Sequence, residues 1–404
     1  MDYLRSKFFK QNQKQSTEAA SASSNSLNTA LPLEYFQVQF LIECLMRTVY
    51  TSHDHKALVE MCSEQVDHQS KDRRLLNEFE RSYSADRAFW WYLQDSFLFK
   101  ILNYSLESQD LRNLFLFRRV LRDVQSQIVQ HRCKTPIHVY RSQLMPTELL
   151  DSWISSVGQC IIVNSFLSAT IDPDTALAFL NRDRTIKPNY ERVLLEIDAD
   201  PRIPGSKPFV QTSSFDESTD KNEVIFLFGS IFLINNITCE ETGIYRIELT
   251  LYTDSEHEFK QIFNEMKTKY GSGELSQLKF IEILKDLDRF DEAEEYLNNY
   301  RERISSNDAE QILCFVLLGS IAFARADFDT SFMWFNQALE FQTQHSLIIQ
   351  NSTLAEIYEY LAKIYEHKNH RPQAISFFQK AISIYQRIVP VPQDKISQIQ
   401  EHLK

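Results

Sequence analysis

The C-terminal third of the chain repeats itself, and this repeat restricts the fold more than any other sequence feature. Small and aromatic residues recur at matching positions about 43 residues apart, as Phe315, Leu318, Gly319, Ser331, Phe335 and Ala338 and again as Tyr358, Leu361, Ala362, Ala374, Phe378 and Ala381. A weaker earlier copy keeps some of these positions, at Phe280, Ile281, Ala293 and Leu297. The spacing inside each copy is that of helix faces, so the pattern predicts helical units over about 274–307, 312–345 and 355–388.

Within each copy the pattern resembles the tetratricopeptide repeat, a helical hairpin whose small residues let two helices approach closely. The period exceeds the roughly 34 residues of that family, so we expect longer second helices or longer connections. The resemblance implies an array over 274–404 with a concave face that binds a protein partner, closed by a terminal capping helix. An ordinary helical bundle is the alternative.

The charge of the chain argues against nucleic acid as a partner. Lys and Arg number 43 against 55 Asp and Glu, which gives a formal net charge of −12, and an acidic protein does not neutralise phosphates. The 7 glycines form no Gly-x-Gly-x-x-Gly motif and no phosphate loop that ends in Gly-Lys-Ser/Thr. Any nucleotide must therefore be held by other means.

Metal and membrane signals are also missing from the sequence. The 6 cysteines show no Cys-x-x-Cys spacing, and the pairs His53/His55 and His367/His370 lack the acidic or cysteine partners of a convincing metal site. The start of the chain lacks the apolar stretch of a secretory signal, and the longest apolar run, 224–234, is too short to span a bilayer. We therefore expect a cytoplasmic protein with no metal and no membrane contact.

The rest of the chain divides by composition and period. Residues 1–30 are polar and predict a disordered tail. Residues 31–135 show apolar residues at three- and four-residue steps, which predicts a helical lobe, and β-branched runs separated by turns predict a β-rich core over 136–253. The loop 198–222, rich in proline, is expected to lack regular structure, and residues 254–273 are expected to be a linker. The fold class is therefore α+β, followed by an all-α array.

Three residues stand where this core would place a site. Arg141 lies at the end of the first predicted strand, Ser168 follows a second, and Glu223 begins an apolar strand. A polar residue next to a buried strand often lies at a cleft. Each residue type alone is weak support, so the prediction rests on their order and flanking sequences.

This ordered series resembles the mono-ADP-ribosyltransferases of the Arg-Ser-Glu class, whose known members include protein-arginine ADP-ribosyltransferases. The resemblance implies a split β-sheet core within 31–253 and NAD consumed as substrate, with no metal. It also implies that Arg141, Ser142 and Ser168 bind NAD and that Glu223, Ser168 and Arg141 carry the catalysis, with Ser168 orienting Glu223. ADP-ribose would pass to the side chain of an acceptor protein, nominally to arginine.

The chemistry of these residue types agrees with that implication. Cleaving the nicotinamide bond produces an oxocarbenium-like ribose, and a carboxylate at Glu223 would stabilise a charge that appears only in the transition state. The guanidinium of Arg141 suits the paired anionic oxygens of a diphosphate.

Lys221 departs from the family pattern. Arginine-modifying members carry a glutamate two residues before the catalytic one, whereas Lys221 would repel an arginine acceptor. Lys221 and Phe215 are the predicted acceptor-recognition residues, and Ala169 replaces a hydroxyl residue of the family. Two alternatives stay open: an interaction scaffold without turnover, and an NAD glycohydrolase that uses water as acceptor.

Overall fold

The computed structural model describes residues 33–66, 70–94, 97–182, 188–215, 222–253, 264, 267–305, 308–345 and 350–403. Contacts divide the chain into two compact units. The first contains residues 1–42 and 51–271, and the second contains residues 43–50 and 272–404. Residues 43–50, which the sequence analysis assigns to the helical lobe, therefore group with the C-terminal array.

Helices fill the described part of the chain before the sheet. They are α1 (Leu33–Arg47), α2 (Ser52–Gln65), α3 (Lys71–Ser82), α4 (Ala88–Leu93), α5 (Phe97–Glu107) and α6 (Leu111–Gln130). Thr51 and Asp54 form a reciprocal capping box at the start of α2. The side chain of Asp110 accepts hydrogen bonds from the backbone amides of Arg112 and Asn113 in the first turn of α6. Phe89, Trp91 and Tyr92 of α4 are buried in this lobe.

Eight strands of the described residues form one sheet. They are β1 (Ile137–Pro146), β2 (Cys160–Val163), β3 (Leu167–Thr170), β4 (Tyr190–Ala199), β5 (Phe209–Gln211), β6 (Glu223–Phe226), β7 (Ser230–Cys239) and β8 (Ile244–Tyr252). Their order is β2-β7-β8-β4-β1-β3-β6-β5. Only β4 and β8 pair in parallel; the other neighbours are antiparallel. The helices α7 (Thr147–Ser155) and α8 (Pro173–Arg182) lie between strands in the sequence.

The sheet is nearly divided between β1 and β3. Strand β1 pairs with β4 along its whole length, but within the described residues its register with β3 consists of one pair, Tyr140 with Thr170. This single bridge separates β3, β6 and β5 from the other five strands. The predicted α+β class, with a helical lobe, a split sheet and a C-terminal helical array, is confirmed.

The connection from β6 to β7 shows that the sheet is also bent. In a flat sheet these strands would lie five spacings apart, about 24 Å at about 4.8 Å per spacing. The chain joins Phe226 to Ser230 through residues 227–229, which reach only about 14 Å. The rings of Phe226 and Phe232 are in contact, with centroids 5.5 Å apart. The two parts of the sheet therefore face each other across a shared apolar core.

Three details differ from the sequence prediction. The loop 198–222 contains a strand, β5, because Phe209–Gln211 pairs with β6. Arg141 lies inside β1, since the strand continues to Pro146 through its pairing with β4. Ser168 lies within β3 instead of following a strand, because β3 is held between β6 and the bridge to β1.

The second unit contains three consecutive helical hairpins and a final helix. The helices are α9 (Gln277–Asp286), α10 (Phe290–Arg303), α11 (Glu310–Ala324), α12 (Phe328–Gln344), α13 (Asn351–His367), α14 (Arg371–Tyr385) and α15 (Gln393–His402). Each hairpin occupies one predicted copy of the repeat. Residues 43–50 join this unit through a parallel bridge between Thr48 and Leu275.

Gly319 shows why the repeat needs small residues at fixed places. A Cβ at Gly319 would lie 2.9 Å from the ring of Phe335 on α12, closer than side-chain carbons pack. We expect Gly319→Ala to destabilise the second unit by about 1–2 kcal/mol, because overpacking outweighs the gain in helix propensity. Urea unfolding followed by circular dichroism measures this change. Gly273→Ala is the control, since nothing lies within 4 Å of its added carbon, and an equal effect of both substitutions would contradict the packing argument.

No helix in the described ranges combines the length and apolar character needed to cross a membrane. All of the cysteines are free thiols, three of them buried, at Cys44, Cys62 and Cys314. Burial raises the pKa of the Cys62 thiol, and burial together with nearby carboxylates raises that of Cys314 to about 12. Both therefore act as small apolar residues of the core.

Candidate active site

Ser168 and Glu223 meet where β3 pairs with β6. Glu223 is opposite Thr170 in this ladder, and Ser168 lies two residues before Thr170 on the same face. The hydroxyl of Ser168 donates to Oε1 of Glu223 across 2.7 Å. A short hydrogen bond from a hydroxyl to a carboxylate is among the stronger kinds in proteins. It fixes the rotamer of Glu223, as the sequence analysis expects.

Arg141 reaches the same place from the other side of the split. Its Nη1 donates to the backbone carbonyl of Ser168 across 2.6 Å, and its Nε donates to Oε1 of Gln143 across 3.2 Å. Within the described residues its Nη2 makes no hydrogen bond. Hydrogen bonds therefore link the three predicted residues, which are far apart in the sequence, into one constellation. Nη2 of Arg141 is left to donate to a ligand.

The helical lobe contributes a buried phenol to this constellation. Tyr92 is 1% exposed, and its hydroxyl is paired with the side-chain amide of Asn103 at 3.1 Å. Burial raises the pKa of Tyr92, and the charges of Glu223 and Arg141 act on it in opposite directions. The phenol therefore stays neutral and lies within electrostatic range of both predicted site residues. No sequence pattern singled out Tyr92.

Two further side chains of α5 hold the segment that enters β3. Oδ1 of Asn103 accepts the backbone N–H of Phe166 across 3.3 Å, and Oε1 of Glu107 accepts the hydroxyl of Ser165 across 3.0 Å. Burial lowers the pKa of Arg141, and the carboxylate of Glu107 opposes that effect. Glu107 is therefore a second carboxylate that acts on the site, and the sequence analysis did not find it.

Ser142 and Gln143 directly follow Arg141 on β1. Ser142 pairs with Leu194 of β4 and lies on the opposite face of the strand from Arg141. Its hydroxyl makes no hydrogen bond within the described ranges, and its cofactor role stays a prediction. Gln143 lies on the same face as Arg141 and orients its guanidinium, a role that no sequence signal indicated.

The predicted acceptor side is described only in part. Lys221 lies outside the described residues. Phe215 is partly buried, with its ring centroid 4.2 Å from that of Phe89 and 4.4 Å from that of His131. Buried Thr212, just before it, donates its hydroxyl to the carbonyl of Glu223 across 3.4 Å. Phe215 therefore packs on the helical lobe, next to a turn that is bonded to the Glu223 backbone.

In the parts of the chain that the structure describes, no group of three or more His, Cys, Asp or Glu side chains is placed to hold a metal ion. One carboxylate is fixed by a hydroxyl, one guanidinium has an open edge, and one neutral phenol is within electrostatic range of both. This set can stabilise a developing positive charge and hold an anionic group beside it.

Comparisons with known proteins give distant likenesses. No protein-family model matches the sequence, and no curated protein matches it. Among solved structures, the C3 exoenzyme of Clostridium limosum is 10% identical over 48% of this chain and 94% of that one, with a TM-score of 0.33. The Vis toxin, an ADP-ribosyltransferase from Vibrio splendidus, is 16% identical over 54% of this chain and 93% of that one, with a TM-score of 0.29.

Exoenzyme S of Pseudomonas aeruginosa, in complex with human 14-3-3 protein beta and bound to carba-NAD, is 10% identical over 50% of this chain and 94% of that one, with a TM-score of 0.31. TM-scores of 0.33 or less at these identities carry no argument about the activity of this chain. The α+β architecture stands on the chain's own strands and helices, and its function must be argued from its own site.

Proposed function

We propose that this protein is a mono-ADP-ribosyltransferase that transfers ADP-ribose from NAD to a protein side chain. One observation carries the proposal: the hydroxyl of Ser168 fixes the carboxylate of Glu223 at 2.7 Å, while Arg141 is bonded to the carbonyl of the same serine at 2.6 Å. The residues that the family resemblance selects thus form a single connected group. An unrelated set of surface residues would not be expected to do so.

In the proposed reaction, the bond between ribose C1′ and the nicotinamide nitrogen breaks, and its electron pair leaves with neutral nicotinamide. Glu223 stabilises the positive charge that develops on the ribose and holds a ribose hydroxyl. A nucleophilic atom of the acceptor side chain then forms a bond to C1′ and loses its proton to solvent. Ser168 positions Glu223 throughout, because a fixed carboxylate does not have to reorganise in the transition state.

Arg141 is proposed to hold the diphosphate of NAD. Its Nη1 and Nε are engaged by Ser168 and Gln143, which fixes the plane of the guanidinium, and its free Nη2 can donate to a phosphate oxygen. This preorganised fork loses little conformational entropy when the ligand binds. The dinucleotide would thus be anchored at its central diphosphate while Glu223 acts at the nicotinamide ribose.

The acceptor is proposed to be a protein, with arginine as the nominal side chain. Lys221 disfavours an arginine acceptor through like charge, so identifying the modified side chain is part of the test below. The three helical hairpins of the second unit would act as a tetratricopeptide-like array that binds a partner and raises the local concentration of acceptor.

The test is to incubate the purified protein with NAD and measure nicotinamide release. Nicotinamide with labelled protein supports transfer, whereas nicotinamide with free ADP-ribose alone would indicate the glycohydrolase. If no nicotinamide is released, either alone or with a cell extract as a source of acceptor, the protein is an interaction scaffold without turnover. Mass spectrometry of modified peptides identifies the acceptor side chain, and arginine adducts would show that Lys221 is no obstacle.

Replacing Arg141 by lysine should weaken NAD binding by about tenfold, because an ammonium cannot keep the bonds to Ser168 and Gln143 while donating to a phosphate. Isothermal titration calorimetry with NAD measures this change. Arg122→Lys is the matched control, since that side chain is 46% exposed on α6 and should not alter binding. Unchanged affinity of the Arg141 variant would remove the phosphate role from this residue.

A further inference from the structure

Helix α5 presents two polar side chains one turn apart to the segment that enters β3. Asn103 accepts the Phe166 N–H, and Glu107 accepts the Ser165 hydroxyl. Ser165 is buried, while Glu107 is exposed. The Glu107 carboxylate is therefore bonded to a buried hydroxyl, on a residue that is exposed to solvent.

The same short segment connects Glu107 to Arg141. Ser168 lies three residues after Ser165 on the chain, and its carbonyl accepts Nη1 of Arg141 at 2.6 Å. The charge of Glu107 acts on the pKa of Arg141, in opposition to the effect of burial. An anion bound at the open edge of Arg141 would therefore lie within range of a second, fixed negative charge.

We propose that Glu107 determines which nucleotides the Arg141 site accepts, by repelling ligands with a high negative charge. This inference rests on the proposed function, because it concerns the same NAD-binding site. Specific sites often combine an attractive contact with a repulsive element directed against competitors. Here Arg141 is the attractive contact and Glu107 is the repulsive one.

Ligand charge decides how strongly this repulsion acts. NAD has a net charge of about −1 near neutral pH, because its pyridinium ring offsets one of its two phosphate charges, whereas ATP has about −4. A carboxylate next to the phosphate site therefore disfavours ATP much more than NAD. Since Glu107 is exposed to solvent, salt should screen the effect.

The substitution that tests this role is Glu107→Gln, because glutamine keeps an oxygen that can accept the Ser165 hydroxyl and loses only the charge. Calorimetry with NAD and with ATP, without magnesium and at low salt, gives the four affinities needed. We expect the variant to bind ATP about five- to tenfold more tightly and NAD about twofold more tightly. At high salt the difference between the variant and the wild type should shrink. A residue with only a structural role would not produce this dependence on ligand charge and salt.

Two further variants sharpen the result. Glu107→Ala removes the same charge without the amide and should shift the ratio of ATP to NAD affinity in the same direction. Glu60→Gln is the control, because Glu60 is exposed on α2, and it should leave both affinities unchanged. If the Glu107 variants change both affinities equally, or change neither, the proposal is wrong.

The outcome also separates this inference from the proposed function. If the Glu107 variants bind ATP more tightly while no form of the protein binds NAD, the repulsive role stands and the NAD-dependent function fails. If NAD binds and is cleaved but the affinity ratio does not move, the function stands and the role of Glu107 fails. Binding of neither nucleotide by any form overturns both.

Discussion

If the proposed function holds, replacing Glu223 by glutamine should lower the rate constant for NAD cleavage by about 10²–10³-fold, while the affinity for NAD should change little. The reason is that the carboxylate contributes mainly to the transition state, where the ribose becomes positively charged. Glutamine has the same shape, and its Oε1 can still accept the Ser168 hydroxyl, which Glu223 accepts at 2.7 Å. The loss therefore reports the missing charge. Nicotinamide release at saturating NAD measures the rate constant, and calorimetry measures the affinity.

The control for this experiment is Glu248→Gln, an exposed position on β8, which should leave both quantities unchanged. Ser168→Ala should give a smaller loss in rate than Glu223→Gln, because it removes one hydrogen bond to the carboxylate and keeps the carboxylate itself. If the Glu223 variant releases nicotinamide as fast as the wild type, Glu223 is not the catalytic carboxylate. If it loses NAD affinity by the same factor as rate, Glu223 binds the ground state instead.

Replacing Asp54 by asparagine destabilises the first unit by about 3–5 kcal/mol, since it leaves Arg118 charged and buried without its counterion. Asp54 Oδ2 lies 2.7 Å from Nη2 of Arg118, and the two side chains are 0% and 1% exposed. Arg118 also donates to the carbonyl of Phe115 at 2.6 Å. Urea unfolding followed by tryptophan fluorescence measures the effect, since Trp91 of α4 is buried in the same lobe.

Matched variants show how much of this destabilisation comes from the lost charge pairing and how much from lost packing. Arg118→Met should destabilise the first unit to a similar degree, because it removes the cation that pairs with Asp54. Arg122→Met changes a residue of the same helix that is 46% exposed, and it should lower the free energy of unfolding by under about 1 kcal/mol. The double substitution Asp54→Leu with Arg118→Met should recover much of the loss, because it leaves no buried charge unpaired. Additive losses in the double variant would contradict the ion-pair explanation.

Acid should remove the same stabilisation. Burial would by itself raise the pKa of Asp54, but Arg118 and the hydrogen bonds from Thr51 outweigh burial and hold the pKa below its ordinary value. The stabilising contribution is therefore fully present above the unfolded pKa of about 3.9 and is lost as pH falls through the lower, folded value. The difference in unfolding free energy between wild type and Asp54→Asn, measured from pH 7 downward, should narrow only in that acidic range.

The sequence was most informative where a local pattern was enough to define an element. Strands Cys160–Val163 and Ile244–Tyr252 match their β-branched runs, and the repeat positions match the helical hairpins. Strand β5 could not be predicted, because Phe209–Gln211 lies in a loop rich in proline and is a strand only through its pairing with β6. The length of β1 likewise depends on β4, a distant partner.

The site divides in the same way. Arg141, Ser168 and Glu223 were predicted from their order and flanking residues, and they are hydrogen-bonded in one constellation. Asn103 and Glu107 were not predicted, because a contact between a helix and a segment 58 residues later in the chain produces no recognisable pattern in either stretch of sequence. One signal was available: these two residues are four positions apart on a helix that is otherwise largely apolar, which is the spacing of a polar contact on one face.

Residues 43–50 have a consequence for how the chain is synthesised. Arg47 donates to the carbonyl of Gly273, a partner 226 positions away, so the second unit is not one uninterrupted stretch of polypeptide. A ribosome adding about 5–20 residues per second delivers that partner roughly 11–45 s later. Until then most of the second unit, to which the buried residues Leu45 and Met46 belong, has not yet been synthesised.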